Sequence, residues 1–307
     1  MCNQLDQLTL NFSPTSLWWL DITLTVIMFG VALNLRLGDF RAVMAEPKAP
    51  ALGLLSQLVV LPAVTLLLVW VVEPCPSLAL GMFLVAACPG GNISNFMSLL
   101  ARGNVALSVS LSALTTLLSV VVTPFNFAFW SGLYGPTRTL MSNIEVDPVS
   151  IFLKILIILA LPLAIGMWTA HRFPRLAAQI GTPLRRLSIL IFGAYVFMAL
   201  YSNFDAFLNF AKYVVLLVAA HNFLALFSGY TVGKIGGLDE PSRRTLSIET
   251  GIQNSGLALV LIFSPLFDGL GGMALIAAMW GLWHIVAGLT LATIWSYSAW
   301  LPKTVKQ

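Results

Sequence analysis

Residues 78–101 read LALGMFLVAACPGGNISNFMSLLA, an uncharged run long enough to cross a bilayer, which takes roughly 20 apolar residues. Its centre breaks the pattern. Cys88-Pro89-Gly90-Gly91-Asn92-Ile93-Ser94-Asn95 puts a proline and two glycines in mid-span. From Leu78 to Cys88 a helix rises roughly 15 Å, about half the ~30 Å hydrocarbon thickness, so the break falls near the midplane. Proline has no N–H to donate and glycine tolerates non-helical angles, so the helix is expected to unwind there. A second stretch, Glu249-Thr250-Gly251-Ile252-Gln253-Asn254-Ser255-Gly256, is again interrupted by glycine and again dense in side-chain oxygens. One such break reads as a kink or a packing face, since glycine and proline are common in membrane helices. Two, each followed by asparagine, point to broken helices that meet at a site. Unwound backbone survives in a membrane only where protein or a cavity shelters it.

The rest of the chain agrees with a membrane reading. Of 307 residues, 58% are hydrophobic and 9% charged, where a soluble domain carries roughly a quarter charged residues. Apolar runs lie at about 17–35, 50–72, 78–101, 105–133, 149–170, 187–202, 211–233, 245–264 and 272–300. The fold class expected is an all-α polytopic membrane protein of nine spans, one transporter domain over 1–307. The two interrupted spans are separated by five crossings and so run in opposite directions, which is the pattern of inverted repeats with a site where the breaks meet. Those repeats would cover about 17–134 and 148–300. With the N-terminus outside, the outer side receives Arg138, Lys154 and Lys212, and the other 13 of the 16 basic residues face inward, as the positive-inside rule requires. The net charge of +4 is thus a matter of topology, and the scattered basic residues form no patch for nucleic acid. The N-terminal 16 residues lack a basic segment followed by an apolar one, so no cleavable signal is expected. Cys2, Cys75 and Cys88 have no metal-ligand spacing. The topology puts the first two outside, open to a membrane-impermeant maleimide, and Cys88 at the first break.

Glu249 carries the most information. An acid inside a span costs about 3 kcal/mol or more to insert and so has a partner or a task. Two readings stand: it reaches the cytosolic interface one to two turns from Arg244, or it belongs to a site. Its sequence neighbours are amides and hydroxyls. Neutral oxygens around one carboxylate suit a hard, weakly charged cation such as sodium, which takes about five or six oxygens. Ser108 and Ser112, four apart, share a helix face, and Gln57 sits beside the proline-containing run Leu58–Pro62. A serine in a membrane helix more often bonds its own backbone or a neighbouring helix. His284 lies in the ninth span with Trp280 and Trp283, and His221 and Asn222 suit links between helices. The chain contains no HExxH, GxSxG or P-loop sequence, so no enzyme is expected.

Three motifs together carry a resemblance: Cys88–Asn95, Ala101-Arg-Gly-Asn-Val-Ala-Leu-Ser108 and Glu249-Thr-Gly-Ile-Gln-Asn254. They resemble the bile acid:sodium symporter family, and the similarity runs from about Met28-Phe29-Gly30 to Trp283-His284. The resemblance implies a core domain and a panel domain, with two broken helices crossing in the core and two sodium ions behind the crossing. Carried over, one sodium site is Ser94, Asn95, Ser108, Ser112 and Glu249. The other is Gln57, Glu249, Gln253 and backbone carbonyls near Thr250 and Ile252. Bacterial relatives often have ten helices, and this chain resembles vertebrate members in lacking the first. Asn92 stands where relatives commonly have Thr, and Ile285 follows His284 where close bacterial relatives have Asn. The expected substrates therefore extend from bile acids to steroid sulfates and small carboxylates such as keto-acids or pantoate. Asn92, Asn254 and His284 are the expected substrate contacts. Helix N-termini at Asn92 and Asn254 would offer unpaired N–H groups to a carboxylate or sulfonate.

The function expected is sodium-coupled import of an organic anion across the plasma membrane, with the C-terminus cytoplasmic. Two alternatives stand beside it. One keeps the fold but couples protons through Glu249 or exports the anion. The other binds a lipid or anion without moving it.

Overall fold

The computed structural model describes residues 2–6, 22, 25–26, 29–30, 32–33, 46–91, 93–143, 148–181, 183–184, 187, 190, 204–263, 267 and 270–298. The first and sixth expected spans fall largely outside these residues. So do Asn92 and the C-terminal tail. Among the described residues the elements are helical, and four helices are long and apolar enough to cross a membrane: Lys48–Val72, Val105–Gly132, Lys212–Ile235 and Gly271–Tyr297. These are the expected second, fourth, seventh and ninth spans. In chain order the elements are α1 (Cys2–Asp6), α2 (Lys48–Val72), α3 (Pro76–Ala87), α4 (Ser94–Leu100), α5 (Val105–Gly132), α6 (Gly135–Asn143), α7 (Pro148–Arg172), α8 (Phe204–Ile235), α9 (Glu240–Gly251), α10 (Ser255–Phe263) and α11 (Gly271–Ser298). The third and eighth expected spans are each two helices: α3 with α4, and α9 with α10.

The core forms around α3. Eleven of its residues, Ser77 to Ala87, are buried, as expected of a helix apolar on every side and enclosed by others. It lies against α11, where Met273 to Trp280 are likewise buried. The outer face of α2 is different: Trp70 is 51% and Val71 82% exposed, which is the surface a lipid-facing helix presents.

Local sequence sets the ends of these elements. Pro76 opens α3, and Cys88 leaves it at φ −71° and ψ 155°, the extended conformation that a following proline favours. Gly237, at φ +70°, ends α8 in a Schellman turn. There the Leu238 N–H reaches Gly233 O at 3.0 Å, and the left-handed angle favours glycine. Asp239 then caps α9, accepting from the Ser242 N–H at 3.3 Å. Within α2, Ser56–Val60 form a π-turn, and Pro62 cannot bond the Leu58 carbonyl. Asn126 Nδ2 of α5 donates to that carbonyl at 2.8 Å.

One expectation is corrected. Cys2 and Cys75 are joined in a disulfide, so neither is the free thiol a maleimide needs. Asp6 Oδ1 accepts from the Ser77 N–H at 2.9 Å, and Leu5 is fully buried. The short α1 is therefore fixed onto the start of α3. The cysteines lie 73 residues apart, a pairing that spacing alone could not single out. Cys88 is free and buried, as expected.

Candidate functional site

The two interruptions meet. Gly90 and Gln253 form an antiparallel bridge, closed by Gly91 N–H to Ile252 O at 2.7 Å and Asn254 N–H to Pro89 O at 2.8 Å. Helix-free backbone in each span thus satisfies itself on the other, which meets the requirement for irregular chain at membrane depth. A Cβ placed on Gly90 would stand 3.1 Å from Glu249 Oε2 and 3.6 Å from Gln57 Oε1. A side chain there would crowd the space those oxygens face.

Behind the crossing Glu249 is fully buried, so it does not reach the cytosolic interface. Arg244 turns elsewhere, to Glu240, Ala101 O and Trp295 O at 3.1, 3.1 and 3.4 Å. The Glu249 carboxylate lies among hydroxyls from two other helices. Ser94 Oγ, in the first turn of α4, donates to Oε1 at 2.6 Å. Ser112 Oγ of α5 stands 3.1 Å from Oε2, and Ser108 Oγ also bonds Oε1. Asn95 Oδ1 lies 2.8 Å from Ser108 Oγ and 3.4 Å from Ser112 Oγ. Each hydroxyl has one proton, and three protons cannot bridge every close oxygen pair in this set. A cation among these oxygens, or one more proton, relieves the crowding.

The second expected set lies on the α2 side. The π-turn brings Ser56 and Gln57 to the interior, at 0% and 1% exposure. Ser56 Oγ and Thr250 Oγ1 are 2.8 Å apart. Both amide atoms of Gln57, and Oε1 of Gln253, are buried without a hydrogen bond of acceptable geometry. Buried polar atoms without partners are uncommon, and here they flank one carboxylate. Gln253 Nε2 donates to Thr250 O at 2.8 Å. Thr250 O and Ile252 O each already accept one bond, which leaves each carbonyl a second lone pair. The chemistry available is that of a hard cation: carboxylate, amide, hydroxyl and carbonyl oxygens.

The expected substrate contacts are placed less uniformly. Asn254 caps α10, its Oδ1 accepting from the Leu257 N–H at 3.0 Å, while the Ser255 N–H bonds Gln253 O at 2.9 Å. These two N–H groups are therefore engaged rather than open to an anion. His284 is 5% exposed. It shares an α11 stripe with Gly281, which faces Ser255, and Gly288, which faces Met97 and Ile252. His221 and Asn222 link helices: His221 Nε2 is 2.7 Å from Thr65 Oγ1 on α2, and Asn222 Nδ2 donates to Gly251 O at 2.7 Å.

One group outside the sequence-based expectations holds the site in register. Asn104 caps α5 through Oδ1 to the Leu107 N–H at 3.1 Å. Its Nδ2 reaches Ser242 Oγ at 3.2 Å, its N–H Pro241 O at 3.2 Å, and its carbonyl takes Thr245 Oγ1 at 3.1 Å. One residue thereby fixes the start of α5, which carries Ser108, to the start of α9, which carries Glu249. The signal was present, because asparagine before an apolar run marks a helix start.

Interrupted helices that cross over a buried carboxylate are the architecture of a secondary transporter. A family model described as the Sodium Bile acid symporter family matches residues 21–210. The chain is 32% identical to a protein named uncharacterized sodium-dependent transporter YocS of Bacillus subtilis, over 94% of this chain and 87% of that one. It is 32% identical to the probable sodium/metabolite cotransporter BASS1, chloroplastic, of Arabidopsis thaliana, over 92% and 67%. It is 28% identical to sodium/bile acid cotransporter 5 of Rattus norvegicus, over 82% and 56%. The chain belongs to the sodium bile acid symporter family. It is a multi-pass, sodium-coupled membrane transporter, with sodium as its coupling ion.

Proposed function

We propose that the chain imports an organic anion across the plasma membrane with two sodium ions, through nine crossings, its N-terminus outside and its C-terminus cytoplasmic. The observation that carries this reading is the crowding of Ser94, Ser108, Ser112 and Asn95 around the fully buried Glu249. One sodium belongs there. A second belongs between Glu249, Gln57, Gln253 and the carbonyls of Thr250 and Ile252, where the unpartnered amide atoms lie. The orientation is supported by the basic residues and by the Cys2–Cys75 disulfide, which suits an oxidising compartment. The substrate is a bile-acid-like molecule, a steroid sulfate or a small carboxylate, bound on the other side of the crossing near Asn92, Asn254 and His284.

Charge fixes the expected stoichiometry. Two sodium ions, the Glu249 carboxylate and a monoanion sum to zero, so the loaded core moves without a large desolvation cost. The empty core keeps one negative charge. Each cycle brings in a net +1, worth about 2.3 kcal/mol per 100 mV. In proteoliposomes an inward sodium gradient should drive uptake that a potassium gradient does not, and an inside-negative potential should accelerate it. A proton on Glu249 would relieve the same crowding. Uptake driven by a pH gradient without sodium would establish that second reading, and sodium-driven uptake indifferent to potential would exclude the two-sodium count.

A further inference from the structure

On the outer side of α9, α8 and α11 enclose a groove of about 590 Å³ with a short floor at Ser247. Its walls are apolar and aromatic: Phe223 and Phe227 on one side, Trp283 and Trp295 on the other. Phe223 is 64% and Phe227 58% exposed, so the groove opens to the bilayer, while its inner wall reaches the buried Asn222 and Ser247. Its volume lies in the range of sites that take a small organic ligand. One end is marked as the membrane–water interface. Tyr230 and Trp295 stack there with centroids 6.0 Å apart, and the Arg244 guanidinium stands 5.7 Å from the Trp295 ring. Tyrosine and tryptophan favour that depth.

The charge at this mouth selects the occupant. Lys234 is exposed and follows Tyr230 by four residues, so it continues the lining stripe of α8 one turn toward water. Among the described residues it forms no ion pair. The acids at this end are both occupied. Glu240 is held by Tyr230 Oη at 2.9 Å and Arg244 at 3.1 Å, with Arg243 at 3.7 Å. Asp239 caps α9. The two arginines face Glu240, while Lys234, next along the lining stripe, is not engaged by either acid.

We propose that this groove binds an anionic phospholipid from the leaflet on the Lys234 side, its acyl chain between α8 and α11 and its phosphate at Lys234. An acyl chain matches the apolar walls, and since it is already out of water in the bilayer, van der Waals packing against them holds it. A basic group at the mouth of a cleft between membrane helices recruits anionic headgroups. The site is separate from the sodium-binding residues, so its occupancy is a property of the fold and not of the transport reading.

Native mass spectrometry of the purified full-length protein, after exchange from phosphatidylglycerol and from phosphatidylethanolamine, tests it. Wild type should retain phosphatidylglycerol about fivefold better, one lysine being worth about 1 kcal/mol near a surface. Lys234→Gln should remove that preference, and Thr290→Phe, which fills the groove, should remove retention of both lipids. Unchanged thermal melting of the variants separates these losses from misfolding. Equal retention of the two lipids by wild type would overturn the proposal, as would retention that neither substitution alters. A lipid-free dimer that forms a disulfide in the Phe223→Cys or Phe227→Cys variant would assign the groove to a second copy of the chain instead.

Discussion

The first break is written into the backbone by proline and glycine, whereas the second has glycine alone, and each takes one cap from another helix. Pro89 supplies no N–H, Gly90 and Gly91 leave room at the crossing, and the carbonyl freed at Ala87 is taken by Thr123 Oγ1 at 2.8 Å. The second has no proline. Gly251 ends α9, Ile252 takes non-helical angles, and the carbonyl freed at Gly251 is held by Asn222 of α8. The functional groups divide the same way. The first break leads into neutral ligands, Ser94 and Asn95, and the second follows the site's one charge, Glu249. The two breaks thus differ in how much of the interruption the backbone itself imposes, and both lean on one side chain of another helix.

The largest effect should come from the charge. Glu249→Gln keeps the shape but leaves two cations without their shared anion. Uncompensated charge at a buried site costs about 3–5 kcal/mol, so sodium-driven uptake should fall more than about 100-fold. Substrate binding that survives in this variant while uptake is lost would place the defect in coupling. Sodium-driven uptake near the wild-type rate would sink the role of Glu249.

The neutral ligands should matter less and separately. Asn95→Ala takes an oxygen from the α4–α5 side, and Gln57→Ala takes one from the α2 side. A bond to a charged group is worth about 1.5–3 kcal/mol, so each should raise the sodium concentration for half-maximal uptake about tenfold or more. If the two sites are distinct, the double variant should show both penalties. An unchanged sodium dependence in either variant removes that residue from the sites.

How much of this was legible in the sequence follows from the reach of each cause. Pro89 and the glycines act on adjacent backbone, so both breaks could be read directly. The serines at 108 and 112 could be placed on one face but not aimed. Thr65, Thr115 and Ser131 bond their own helix carbonyls four residues back, while Ser108 and Ser112 face Glu249. Only the neighbouring α9 distinguishes the two groups. The caps on the freed carbonyls come from farther still: Thr123 is 36 residues from Ala87 and Asn126 is 68 from Leu58. No local pattern names such partners. The disulfide escaped the sequence for the same reason, whereas the N–H groups at Asn254 are engaged locally, by Asn254 Oδ1 and Gln253 O, as an asparagine at a helix start signals.

The smallest effect tests the comparison of the two breaks itself. Thr123→Val and Asn222→Leu each remove one interhelical bond to a freed carbonyl, with little change in volume. Such bonds contribute on average about 0.6 kcal/mol within membranes, with a maximum near 1.7. Equal losses would be the simple expectation. The two side chains differ, however, in what else is removed. Thr123 gives its one proton to Ala87 O, so valine leaves an unpaired carbonyl and recovers nothing. Asn222 carries a second polar atom, Oδ1, which is buried without a partner and already bears its desolvation cost. Leucine leaves Gly251 O unpaired but also eliminates that orphaned acceptor, so part of the loss is returned. Thr123→Val should therefore lower the thermal stability of the purified protein more than Asn222→Leu, although the proline-containing break looks the more self-sufficient of the two. A larger loss in Asn222→Leu would mean that the α9–α10 break rests on its side-chain support alone, and that the orphaned Oδ1 has a partner the geometry does not reveal.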